Sequence, residues 1–212
     1  MNKRKVKIIV VAIVAVVITA VLCAVGMANN VTDGMFNMNT PTKITKNSTV
    51  IGTIESTDDY EAYVFDVERD GALSVRLDHD NMLDSIKCGY VVTLYKITDG
   101  ETREYKEITY FESFWSDVTS DWGEIGVSPG TYCVVVDPGT DILHGEFTLV
   151  TTFTPSQTFE KELNDTKETA NALGLGKALY ASSSQRTDGY DNDWFVFELT
   201  RDSCINISFV HD

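Results

Sequence analysis

Apolar and polar residues alternate with a period of two along most of this chain, and glycine, proline, aspartate and asparagine cut the alternation at short intervals. Side chains on a strand point to opposite faces in turn, so this period marks strands with one buried face. It predicts strands over residues 50–54, 63–67, 72–77, 90–97, 102–111, 124–127, 132–136 and 146–152. Turn signals fill the gaps, at Asp70-Gly71, Asp99-Gly100, Pro129-Gly130 and Pro138-Gly139. Seven or eight short strands at this spacing predict an all-β chain built on an antiparallel β-sandwich. After Asn29 the only helical period is a short turn over residues 166–173.

The pattern is also said twice. Residues 65–80 align without a gap on residues 197–212, with identity at Phe65/Phe197, Arg69/Arg201, Asp70/Asp202, His79/His211 and Asp80/Asp212, and with apolar positions alternating in both copies. A repeat of this kind marks a recurring structural unit. The chain is therefore expected to hold one complete sandwich over residues 47–153, a Thr, Ser and Pro linker over 154–158, and an incomplete second sandwich over 159–212. The repeated block supplies the second and third strands of each.

The first 28 residues break with this pattern. Lys3, Arg4, Lys5 and Lys7 precede an apolar run from Ile8 to Val25 that only Thr19 interrupts. As a helix at about 1.5 Å per residue the run would measure roughly 27 Å, close to the hydrocarbon thickness of a bilayer. Gly26-Met27-Ala28 offers small residues for signal cleavage, so residues 1–28 read either as a signal peptide or as a membrane anchor, with residues 29–46 a polar linker. In both readings the sandwiches are extracellular or on the cell surface, and the membrane is met only through this helix.

Charge narrows the partners. The chain carries 17 Lys and Arg against 32 Asp and Glu. Setting aside the four N-terminal basic residues leaves 13 against 32, a net charge of −19 on the remainder. Such a surface disfavours nucleic acid and anionic lipid and favours divalent cations. Beyond the apolar run stand Cys88, Cys133 and Cys204. Cys88 and Cys133 fall at or in predicted strands and are either a disulfide or two small buried apolar residues.

The run Glu160-x-Glu162-x-Asn164-Asp165-Thr166, then Ala170, then Asp191-x-Asp193-Trp194-Phe195-x-Phe197, resembles the bacterial pre-peptidase C-terminal domain and the related collagen-binding domains of clostridial collagenases. Gly52-Thr53-Ile54, Tyr63-Val64-Phe65-Asp66-Val67, Gly71-Ala72-Leu73 and residues 129–136 echo the same pattern in the complete copy. The resemblance implies a jelly-roll-like sandwich, carried by secreted proteins as a non-catalytic appendage. It also implies calcium at the module's N-terminal edge. The residues speak for calcium on their own: in an extended segment Glu160, Glu162 and Asn164 project to one side, Asp165 adds an oxygen, and Asp191 or Asp193 closes the shell. An all-oxygen set suits this hard cation. Asp188 is a further candidate, and the alternative is a solvated acidic linker. The first copy has Gly34 and Phe36 where the glutamates stand, with only Asn39, Asp58 and Asp59 as oxygens. It is expected to hold no metal, or a weak one.

Catalysis finds no motif: the chain has no His-Glu-x-x-His and no Gly-x-Ser-x-Gly, and two of its three histidines, His79 and His211, are one repeat position. No catalytic residue is therefore assigned. An extracellular protein or polysaccharide is the expected partner. The place for it would be Tyr110-Phe111-Glu112-Ser113-Phe114-Trp115 with Trp122, unless Tyr110, Phe114 and Trp122 fill one side of the sandwich. Two alternatives remain: an N-terminal fragment of a larger secreted peptidase or other hydrolase, and a carbohydrate-binding module.

Overall fold

A computed structural model of the chain describes residues 6–12, 40–79, 89–98, 104–114, 119–121, 123–138, 145–187 and 189–211. Among these residues the structure is all-β. The strands are β1 (Val6–Ala12), β2 (Thr42–Lys43), β3 (Ser48–Ile54), β4 (Glu61–Val67), β5 (Gly71–His79), β6 (Gly89–Thr98), β7 (Glu104–Phe114), β8 (Thr119–Asp121), β9 (Ile125–Val127), β10 (Gly130–Pro138), β11 (Gly145–Pro155), β12 (Asn171–Ala172), β13 (Gln185–Arg186), β14 (Gly189–Tyr190) and β15 (Asp193–Leu199). All eight strands expected from the period-2 pattern are present, as β3 to β7 and β9 to β11. The two short strands β2 and β8 are not legible, because two or three residues cannot show a period.

One sheet runs β2-β4-β10-β6-β7 and the other β3-β11-β5-β8, with β9 also on β5. Most neighbours are antiparallel, but β2 pairs with β4 in parallel, so the sheets are mixed. Their facing sides close over a single core. Phe65, Val92, Leu94, Tyr132, Val134 and Val136 come from one sheet, and Leu73, Val75, Leu77, Phe147 and Leu149 from the other. Aromatic edges cross the gap, with Tyr63 and Tyr90 both T-shaped against Phe147 at 6.5 and 5.7 Å between centroids. Each such buried side chain contributes about 1.5–3 kcal/mol, which is why the alternation is strict on the strands that line this core.

Central strand β10 is the exception that explains its own sequence. Cys133 and Val135 are buried on the outer face with Ala62 and Ile97, while Tyr132, Val134 and Val136 face the core. A strand covered on both sides needs an unbroken apolar run, and residues 132–136 have one. Cys133 is fully buried there; Cys88, and with it the disulfide alternative, lies outside the described residues. On β7 a register shift opposite Leu94 and Tyr95 sends Ile108 and Phe111 into the core. Tyr110, expected to fill the sandwich, is half-buried outside that core cluster. Trp115 and Trp122 lie outside the described residues.

The second copy of the repeat departs further from expectation. Its first strand forms: β15 occupies the position of β4, and β12 bridges it in parallel, Asn171 to Phe195, as β2 bridges β4 from Thr42 to Tyr63. The expected third strand does not form. Residues 203–211 make no strand, and Ile205, Ile207, Phe209 and Val210 are exposed. In the first copy the matching strand β5 lies between β11 and β9 with β8, all later in sequence. Among the described residues, 203–211 pair with no other segment, and an apolar alternation without a ladder has nothing to bury against. Nor is the 166–173 segment helical: it is a turn closed by Thr169 N–H to the Thr166 carbonyl at 3.1 Å, running into β12.

The described part of the expected N-terminal helix is also a strand. β1 pairs antiparallel with β15, Ile8 opposite Phe197 and Val10 opposite Phe195. The β-branched content of Val6–Ala12 suits an extended edge, and β15 offers one. Residues 13–28 lie outside the described residues. No helix among the described residues is long and apolar enough to cross a membrane.

Candidate metal centre

The acidic entrance of the second copy forms no strand, and its alternation is inverted in chemistry: polar ends point in. Glu160, Glu162 and Asn164 are 0, 3 and 0% exposed, while Lys161 between them is exposed. Backbone bonds from four directions hold the segment in this setting. Glu160 N–H donates to the Tyr180 carbonyl at 2.9 Å, Glu162 N–H to Gly126 at 3.0 Å, and Trp194 N–H to Asn164 at 3.1 Å. Asn171 clamps Lys161 from both sides, its Oδ1 accepting from the amide and its Nδ2 donating to the carbonyl, each at 3.0 Å.

The inward carboxylates converge with those of β15 and the residues before it. Oxygens of Glu160, Glu162 and Asp193 lie within 4.8 Å of one another, all three residues buried. Glu160 is the best supplied, its Oε1 accepting from Ser182 N–H at 2.6 Å and its Oε2 from Asn164 Nδ2 at 3.1 Å. Asp191 Oδ2 accepts from Ser184 N–H and Oγ at 2.7 and 3.0 Å. A set of buried oxygens is left over: Glu162 Oε1, Asn164 Oδ1, Asp191 Oδ1, Asp193 Oδ1 and Ser182 Oγ have no hydrogen-bond partner. Native interiors seldom leave one such atom unsatisfied, and here there are five, all from residues 162–193.

Electrostatics carry the same message. Burial, followed by the negative charges of Asp191, Glu160, Asp193 and Asp165, pushes the Glu162 carboxyl up to about 10. Burial likewise raises Glu160, with Asp193 adding to it, and raises Asp193, with Asp191 adding to it. Asp191 is raised by burial against the hydrogen bonds from Ser184. Burial and mutual repulsion penalise the charged forms of these four carboxyls. The group can take a metal ion: all donors are oxygen, most are anionic, and their free lone pairs are buried.

Of the six residues expected to form the site, five have buried oxygens in it. Asp165 is the exception, its Oδ2 paired with Arg186 Nη1 at 2.8 Å. That arginine places a positive charge beside the acidic group. Asp188 lies outside the described residues. Ser182, Ser184 and Arg186 were not foreseen; the signal was the serine run at 182–184, between the two acidic stretches. In the first copy, Gly34, Phe36 and Asn39 are outside the described residues, and Asp59 accepts from the amides of Glu55 and Tyr60.

No family model and no curated protein matches this chain. Solved structures do. The chain is similar to the pre-peptidase C-terminal domain of a collagenase from Bacillus anthracis, at 16% identity and a TM-score of 0.42, covering 53% of this chain and 95% of that one. That domain belongs to the family that the sequence motifs resemble. The chain is also similar to PliG, a periplasmic inhibitor of g-type lysozyme from Aeromonas hydrophila, at 10% identity and a TM-score of 0.36, covering 53% of this chain and 96% of that one.

Proposed function

We propose that this chain is an exported, non-catalytic β appendage of the pre-peptidase C-terminal type, and that calcium bound at Glu160, Glu162, Asn164, Asp191 and Asp193 organises the start of its second unit. The unpartnered buried oxygens carry this reading. Water-filled or protonated alternatives leave an acidic pocket under strain, whereas a divalent cation satisfies the orphaned lone pairs and the charge together. Calcium fits better than zinc, since the set has no nitrogen or sulfur, and better than magnesium, which demands strict octahedral geometry and keeps its waters. An extracellular position, read from the basic and apolar N-terminal segment, places the site where calcium is abundant.

The role is structural: the ion fixes the junction between the two units and thereby presents the first sandwich to an extracellular protein or polysaccharide. Calorimetric titration of the full chain with calcium should give one site, and Glu160→Ala with Glu162→Ala should abolish its heat. Identical isotherms for the two proteins would remove the site.

A further inference from the structure

The two glutamates that head the cation site do not stand on the second unit alone. Their segment lies across the rim of the first sandwich, where β9 and the turn before β5 come together. Gly126 of β9 accepts the Glu162 amide at 3.0 Å. It also lies so close beneath Glu160 that a Cβ on Gly126 would overlap the Glu160 carbonyl. Only glycine permits that approach, although its φ is ordinary and the turn chemistry does not call for it. Asp70, in the turn ahead of β5, accepts Ser156 N–H on its carbonyl at 3.2 Å and pairs its carboxylate with Lys161 Nζ at 2.7 Å. Leu163, between Glu162 and Asn164, packs against the first sandwich's core. Glu107 of β7 makes a second attachment, its carboxylate accepting from Thr187 N–H at 2.8 Å and Oγ1 at 2.6 Å.

Resting on the calcium reading above, we propose that Gly126 and Asp70 of the first sandwich are positioning residues of the second unit's cation site, so that docking of residues 156–163 on this rim and filling of the site are one coupled equilibrium. Neither residue donates a ligand. They act by position: the Gly126 hydrogen bond and close approach and the Asp70 contacts fix where the segment lies, and with it where the Glu160 and Glu162 carboxylates meet. Detaching the segment from the rim releases the two glutamates' geometry, and the ion then has to order a free chain at the moment of binding. Coupling of this sort is reciprocal, so calcium must tighten the rim contact by the factor that the rim tightens calcium.

The experiment is a calcium titration of the full chain and its variants by calorimetry, with amide exchange as the second readout. Gly126→Val is expected to weaken calcium at least tenfold while the amides of β4, β6 and β10 keep their protection, which shows that the sandwich is still folded. Lys161→Glu puts a negative charge beside an anionic site, so charge alone would tighten calcium; the coupling predicts weaker binding, and Asp70→Lys in the same chain restores it. In the unaltered protein calcium slows exchange of the Glu162 amide. Wild-type affinity in Gly126→Val, or tighter binding by Lys161→Glu, overturns the coupling while leaving the calcium site standing. Absence of calcium heat in the unaltered chain overturns the calcium reading and the coupling with it.

Discussion

Glu162 shows what burial among other carboxylates does to an acid. Its carboxyl is raised from an ordinary 4.5 to about 10, so the folded state holds a proton that the unfolded state gives up. The stability this contributes is fully present below about pH 4.5 and is lost as pH rises toward 10, by up to about 1.4 kcal/mol per pH unit for this group. Calcium-free protein is therefore expected to melt at progressively lower temperature between pH 5 and pH 9 in EDTA, with Glu160 and Asp193 adding to the slope. Calcium should reverse the trend, since binding displaces those protons and strengthens with pH. Glu162→Gln should flatten the calcium-free curve and lose calcium binding; a slope unchanged by this substitution would show that the proton sits elsewhere. The side of the chain on which Glu160, Glu162 and Asn164 lie was legible from their spacing. What could not be read was that Asp165 would be claimed by Arg186, because that pair depends on a loop whose path has no local code.

At the scale of elements, the repeat separates sequence from context. Leu77 and Phe209 are the same repeat position in the same alternation. Leu77 is fully buried in β5, and Phe209 is 63% exposed on a segment that forms no strand. Leu77→Ala is expected to cost 2–5 kcal/mol in denaturant unfolding, in the range of buried leucines, and Phe209→Ala less than about 0.5 kcal/mol. Equal losses would mean that residues 203–211 do pack. The pattern and its turn signals located eight strands because most of them alternate over several residues beside a partner. The pattern failed at 203–211 because a strand is a relation between segments, and no described segment pairs with these residues. The expected N-terminal helix fails for the same reason at β1: isoleucine and valine serve a helix in lipid or a strand on an open edge, and hydrophobicity alone does not choose.

At the scale of the whole molecule, the first sandwich closes on itself while the second unit leans on it. Beyond the core, the joining contacts among the described residues are hydrogen bonds and the ion pair between the partly exposed Asp70 and Lys161. Contacts of that kind contribute little singly. The second unit should accordingly open before the first. Without calcium, hydrogen exchange is expected to show β12 and β15 unprotected under conditions where β6 and β10 remain protected, and calcium should narrow the difference. Simultaneous exchange of both units in EDTA would argue for a single cooperative body.

The strand that leads from one unit to the other also has a mechanical meaning. β11 is flanked by β3 on one side and β5 on the other, with both ladders antiparallel. Tension applied through the second unit reaches the first by way of Pro155, along the axis of β11. Such a pull loads both ladders in shear, so their hydrogen bonds must fail together rather than peel one at a time. The contacts at the rim meet the same tension one after another. A chain tethered by its C-terminal side and stretched in optical tweezers should therefore lengthen in two events. The early one, at low force, is release of residues 156–199, raised by calcium, and the late one is rupture of the sandwich, indifferent to it.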